Sequence, residues 1–450
     1  MKTLKQLGAM AFVTTLGAFA PAVASADGTP ARPTFTKDIA PIFQEKCEAC
    51  HRPDSIAPMA LRTYEEARPW ARSIRSRVES RQMPPWHIDK TVGIQSFKND
   101  RSLTDQQIAT IVAWIDAGAP KGDPKDMPPA KQWPDEQGWN FAAMYGQKEP
   151  DLIVRSTPWT QKAGQNDAWW KPVVETGLTE AKWVRAIEIR PATVKGRKIT
   201  HHAIARLQQD DPDVPQDADQ DAGVFANAGT FMEWAVGKQG EVMRPNSGKL
   251  MLPGSRIIWD IHYSNGGEDI TDVVELGIYF YPKGQEPKYK QTLHLMGATN
   301  AGGVDIPPNS VKATQGFFVM RQAGRVESFQ PHMHLRGKAM SMEAVTPDGR
   351  TQVLSYVKDF NFNWHNSYVY TDDAAPLLPK GTILKITAWH DNTAANRANP
   401  DPNVWVGYGD RTVDEMAHAW VNVTYMSDED LKAEIDARKA RSGQTTQQQQ

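Results

Sequence analysis

A chain of 450 residues with 51 basic and 53 acidic side chains carries a formal net charge of −2, too weak a field to imply nucleic acid or an anionic membrane as partner. Its two cysteines both fall in one short motif, which excludes a disulfide framework. After the N-terminus no segment approaches the roughly 18 uninterrupted apolar residues of a membrane span, so no span is expected in the mature protein.

Residues 1–26 read as an export signal: Lys2 and Lys5, an apolar stretch from Leu7 to Ala20, and Ala24-Ser25-Ala26 ahead of Asp27. Periplasmic or secreted localisation is therefore expected. Removing the signal takes away two lysines and no acid, moving the net charge to about −4.

From Thr36 to Gly118 the apolar spacing predicts a small all-helical module, assigned to 27–122. Ile39, Ile42 and Phe43 precede the cysteines, and Tyr64 to Val78 follow them. Thr104 to Gln107 then caps the run Ile108, Ile111, Val112 and Ile115. Inside it, Cys47-Glu48-Ala49-Cys50-His51 matches C-x-x-C-H, in which two thiols form thioethers to haem and the histidine is an axial ligand. A disulfide or half of a zinc site is the alternative, but the chain has no second cysteine pair. Met83, in a loop stiffened by Pro84 and Pro85, is the expected second axial ligand, with Met59 and His87 as rivals. The module is thus expected to be a c-type cytochrome domain with one covalently bound haem c.

Residues 123–150 are proline-rich and polar, reading as a linker or extended strap. Beyond Asp151, short runs rich in Val, Ile, Trp and Tyr, broken by Gly, Pro, Asn and Asp, predict two all-β sandwich domains, 151–298 and 299–428. Gly297–Ser310 is the divider. Ser427–Arg441 predicts a charged helix, acids first and bases last, followed by an unstructured glutamine-rich tail from Gln444.

The second half carries a histidine pattern. His332 and His334 are two apart, so on a strand both imidazoles point to one side and can reach one metal ion. Met416 is the expected third ligand; two imidazoles and a thioether suit Cu(I). His201, His202 and His262 form a second candidate set. On Ile257–Tyr263, His262 faces away from Ile257, Trp259, Ile261 and Tyr263. His201 and His202, being adjacent, can join it only at a strand end or bulge.

The ordered pieces Thr200-His201-His202, Asp260-Ile261-His262-Tyr263, Pro331 to Lys338, Asp391 to Asn396, Asn399 to Pro402 and Asp414-Glu415-Met416 resemble the copper type II, ascorbate-dependent monooxygenases. That family includes peptidylglycine alpha-hydroxylating monooxygenase and dopamine beta-monooxygenase. The resemblance spans about Asp151 to Tyr425. It implies two jelly-roll-like sandwiches facing each other across a solvent-filled cleft, each with one copper ion. His201, His202 and His262 would hold the electron-transfer copper, and His332, His334 and Met416 the copper that takes O₂. The implied function is hydroxylation of a C–H bond of a small-molecule substrate with O₂. Here electrons would come from a periplasmic donor through the fused haem.

Two departures stand out. Animal members are rich in disulfides, which this chain cannot form. Where the peptide-amidating enzyme grips its substrate carboxylate with arginine, this chain has Gln330, so a peptidylglycine substrate is not expected. His418, two after Met416, is a candidate substitute ligand or a residue behind the ligands. His390 and His365 are candidates to line the cleft, and His294 reads as structural. The competing functions are a non-catalytic haem/copper electron carrier or copper-binding protein, and a haem peroxidase.

Overall fold

The computed structural model describes residues 32–53, 55, 57–133, 138–211, 228–235, 237–299 and 302–448; the expected export signal lies outside them. Among the described residues no helix is long and apolar enough to cross a membrane.

The helical part is short segments around one core. Phe35–Ile39 runs into Ala40–Lys46, which ends at Cys47; Ala71–Glu79 and Asp105–Asp116 follow. Thr104 and Gln107 form the expected capping box, and Thr63 with Glu66 forms a second at Tyr64–Ala67. Phe35, Ile39, Phe43, Ile74, Ile111 and Trp114 pack together.

Residues 84–101 leave this helical pattern. Ile88 and Phe97 form isolated bridges to Val357 and Tyr370, and Trp86, Ile88 and Phe97 join the core of the C-terminal β half. Pro84, Pro85 and Gly93 interrupt any helix here. At Gly93 φ is +74° and an added Cβ would lie 2.6 Å from the Leu354 carbonyl oxygen, so the close strand approach requires glycine. The helical module is thus sewn into the β part.

The principal strands are β1 (Lys182–Pro191), β2 (Thr200–Gln208), β3 (Ala228–Ala235), β4 (Ser247–Met251), β5 (Arg256–Tyr263), β6 (Val274–Phe280), β7 (Tyr289–Ala298), β8 (Val311–Val319), β9 (Ala323–His332), β10 (Gly337–Val345), β11 (Thr351–Val357), β12 (Ile383–Asp391) and β13 (Ala417–Met426). One long sheet runs through the order β6-β1-β4-β7-β13-β9. A sheet β5-β2-β3 covers its first half and a sheet β8-β12-β10-β11 its second. Ile257, Trp259, Ile261 and Tyr263 of β5 face Val184, Ile187, Leu276 and Ile278; Met340, Met342, Leu384 and Ile386 face Phe329, Val421 and Val423. This is the sandwich architecture that the strand spacing predicted.

The two sandwiches share the long sheet, joined where β4 and β7 run parallel at Tyr289↔Ser247 and Lys290↔Gly248. β7, which lies within the expected first sandwich domain, pairs with β13 from Gln291 to Ala298. The expected 298/299 boundary therefore falls at the far end of a strand belonging with the second sandwich. Met296 and Ala298 point into that core, which holds β7 there.

The strap before Asp151 is packed from Trp139 onward. Trp139 and Ala142 lie against Ala186 and Tyr279, while fully buried Glu188 accepts hydrogen bonds from Asn140 N at 2.8 Å, Phe141 N at 3.1 Å and Tyr279 Oη at 2.6 Å. At the C-terminus the helix Asp428–Gln448 starts with Asp428, Glu429 and Asp430, as expected. Its backbone continues past Gln444, where an unstructured tail was expected; glutamine is a good helix former, so propensity permits the extension.

Candidate metal centre

The first histidine set depends on an irregularity in pairing. β2 and β5 run antiparallel with His202 opposite His262, but Tyr263 opposite Thr200, so the register slips and His201 has no partner of its own. This bulge supplies the condition that adjacent histidines require. His201 Nδ1 and His202 Nδ1 stand 3.2 Å apart, and the ligand atoms of His201, His202 and His262 all lie within 4.8 Å of one another. Two nitrogens bound tetrahedrally to one ion at ordinary bond lengths are separated by about 3.3 Å, so the pair fits a shared ion.

His262 is oriented from behind. Its Nε2 is 3.0 Å from Asp167 Oδ2, leaving Nδ1 for a ligand, and Trp169 stacks on the ring with centroids 4.5 Å apart. A carboxylate at the far nitrogen is the usual support of a metal-binding imidazole. Burial, reinforced by His262, pushes His201 down to about 4, and the same two causes take His202 well below the ordinary histidine range. Neutral rings offering lone pairs result.

The second set arises where β9 ends. His332 ends β9, Met333 turns into the core fully buried, and His334 follows, with the two imidazole centroids 5.4 Å apart. His334 Nδ1 is 3.1 Å from the Asp414 carbonyl oxygen, which can only accept, so Nε2 keeps the lone pair. The expected third ligand, Met416, belongs to the segment clamped onto His334. Glu415 Oε2 accepts from His334 N at 2.9 Å, Glu415 Oε1 from Arg336 N at 2.6 Å, and the Met416 carbonyl lies 3.0 Å from His390 Nε2.

Arg336 and Asn392 complete the frame. The Arg336 guanidinium, 1% exposed, donates to Asn392 Oδ1 at 2.8 Å and the Val413 carbonyl at 2.9 Å; Asn392 donates to the carbonyls of Pro307 and Val404. The Asp391–Pro402 segment thus braces the loop that carries Met416. His390, a candidate to line a cleft, is instead fully buried in this frame, 3.4 Å from Glu415. Burial pushes the Glu415 carboxyl up, but its interactions with His390 and His334 together outweigh it, and it stays below its usual range.

The cleft implied by resemblance is absent between the histidines. The His202 and His332 ring centroids are 5.9 Å apart, and His332, His334 and His365 are each at most 6% exposed. The shared sheet fixes the two halves side by side, and the loop 361–367 fills the space: Phe362 stacks on His201 at 4.9 Å, and His365 lies 4.7 Å from His332 and 5.6 Å from His201. His418, opposite His332 in the β9–β13 ladder, stacks on it at 4.7 Å and is pushed down to about 3, first by burial. His294 stays apart, 2.7 Å from Tyr425 Oη and packed on Phe318, in the structural role expected.

Cys47, Cys50 and His51 share the wall of a cavity of about 1070 Å³ with both Met59 and Met83. His51 N and Cys50 N both bond to the Cys47 carbonyl, so the motif makes one tight turn facing one space. His51 Nδ1 lies 3.1 Å from the Met59 carbonyl, leaving Nε2 for a ligand. Burial first, then the neighbouring Cys50, pushes the Cys47 thiol up to about 12. The residues fit a covalently attached haem, and Met83 and Met59 both line the same cavity. His87 does not line the cavity; its backbone N–H donates to Tyr368 Oη at 3.2 Å. Residues of the β part, Trp364 among them, also line it.

No protein-family model and no curated protein matches this chain. Among solved structures, the VP2 subviral particle of infectious bursal disease virus aligns over 63% of this chain and 76% of that one, at 11% identity and a TM-score of 0.17. Procruciferin, the 11S globulin of Brassica napus, aligns over 61% and 84%, at 8% identity and 0.12. Likeness at this level carries no argument about fold or function.

Proposed function

We propose that the protein is an exported copper-dependent monooxygenase that hydroxylates a C–H bond of a small molecule with O₂, fed with electrons through a covalently attached haem. The observation that carries the reading is the convergence of His201, His202 and His262 through a bulge, beside a second set, His332 and His334, whose clamp segment contains Met416. Copper held by these sets would supply one-electron redox chemistry and activation of O₂, and haem held by Cys47, Cys50, His51 and Met83 would supply one-electron storage.

The chain's own residues do the remaining work. Asp167 and the Asp414 carbonyl orient His262 and His334, and burial keeps His201, His202 and His332 neutral. Trp364 in the cavity wall and His365 among the imidazoles are consecutive, so the covalent chain joins the two compartments. Gln330 is 2% exposed and engaged by Lys238 at 3.2 Å and by Glu233, so it is not free to meet a substrate carboxylate. This is compatible with a small, neutral or apolar substrate.

Metal analysis of protein made with haem-maturation machinery, followed by O₂ uptake with candidate substrates, tests this. Two copper ions and one iron per chain with substrate-dependent O₂ consumption are expected. Metal loading without any O₂-dependent product would select the electron-carrier reading. In an anaerobic test, prereduced haem should reoxidise faster in copper(II)-loaded than in copper-free protein; equal rates would remove the haem from the electron route.

A further inference from the structure

His365 is one of the imidazoles packed against the two histidine sets without belonging to either. It is 2% exposed, and its Nδ1 stands 3.2 Å from His332 Nδ1 with the rings at 90°. When two imidazoles hydrogen-bond through Nδ1, one nitrogen carries the proton and the other accepts it. If His332 is the donor, its Nε2 holds the lone pair, matching His334, whose Nδ1 faces the accepting Asp414 carbonyl. If His365 were the donor, His332 Nε2 would carry a proton and could not bind an ion.

We propose that His365 is a positioning residue: it accepts the His332 Nδ1–H, fixes the tautomer in which His332 and His334 both present Nε2, and so prepares the second copper site. This rests on the two-copper reading above. His365 then does for His332 what Asp167 does for His262, but with a neutral ring. A neutral acceptor withholds the negative charge that a carboxylate would place behind the ligand, which favours the lower copper charge at this site. The first sandwich thus supports its imidazole with charge and the second with a lone pair.

The experiment is copper titration of the haem-loaded protein against a competing chelator, together with the copper(II) electron paramagnetic resonance spectrum. His365→Leu should keep the copper at His201, His202 and His262 and weaken the second ion about 10- to 100-fold, with an altered second-site spectrum. His365→Asn, whose Oδ1 falls where Nδ1 stood, should restore affinity and spectrum close to those of the unsubstituted protein. Unchanged second-site affinity in His365→Leu would overturn the proposal. So would loss of the second ion from His365→Asn as complete as in His332→Ala, since His365 would then be a ligand itself. If His365→Leu fails to hold even the first ion, the Asn variant decides by the same criteria. Fewer than two coppers in the unsubstituted protein would refute the two-copper reading and this inference with it.

Discussion

The two histidine sets reach similar ends by opposite backbone means. In the first, regular pairing would send His201 and His202 to opposite faces, and a one-residue slip against β5 turns both Nδ1 atoms toward each other. In the second, the β9–β13 pairing is regular from Ser328 to His332, and His334, two residues past the strand end, is held by Glu415 and Asp414; the Nδ1 atoms of both imidazoles are occupied from behind. One set therefore offers Nδ1 and the other Nε2. The lesson is that backbone geometry selects which nitrogen would face an ion, and the group at the far nitrogen then locks it.

The comparison breaks most sharply at the cavity lined by Cys47, Cys50 and His51, where haem is proposed. Replacing Cys47 and Cys50 together with Ala should abolish covalent haem, read as loss of haem stain in a denaturing gel, while copper stays at two per chain. A parallel loss of copper would mean that the β part depends on the haem for its shape. Next in size, His202→Ala should reduce copper from two ions to one, and His334→Ala should do the same at the other set. The two variants should leave different residual spectra; identical spectra would show a single shared site.

A smaller effect sharpens the contrast between supports. Asp167→Asn keeps a hydrogen-bond acceptor but removes the charge, and should weaken the first ion about 10-fold or more without touching the second, measured by chelator competition. Equal weakening of both ions would show that the sets do not act separately.

A further expected change concerns stability of the metal-free protein. His294, far from both sets, is pushed down to about 4 by burial, with the Lys249 charge adding to it. The unfolded chain takes up a proton near pH 6.5 and the folded chain does not, so stability falls as pH drops from about 6.5 toward 4, by up to about 3 kcal/mol. Glu233, raised to about 7 by burial, works the other way between about 4.5 and 7. The difference in thermal unfolding between the unsubstituted protein and His294→Phe isolates the imidazole. If that difference does not change between pH 7 and pH 4.5, His294 is protonated in the fold.

Much of the site was legible because its signals are local. C-x-x-C-H fixes three groups within one turn, the alternation of His332, Met333 and His334 fixes a face, and apolar residues on β5 place His262 outside the core. His365 was legible only as a histidine near matched segments. Its role depends on a loop whose neighbour Trp364 enters one compartment while Phe362 packs on His201, and no periodicity encodes that. Asp167 and Glu415 were missed for the same reason: carboxylates are common, and only distance shows that one backs His262 and the other holds His334.

By itself the sequence determined the helical haem-motif module, the β texture that follows and the candidate imidazoles, because each rests on short-range spacing and periodicity. Tertiary structure alone decided that one sheet runs through both sandwiches, that β7 belongs with β13, and that residues 84–101 leave their helices for a distant core. It also brought His202 within 5.9 Å of His332, closing the space where a cleft was expected. The physical reason is that strand partners and core membership are set by apolar burial summed over residues far apart in the chain, which local pattern does not contain.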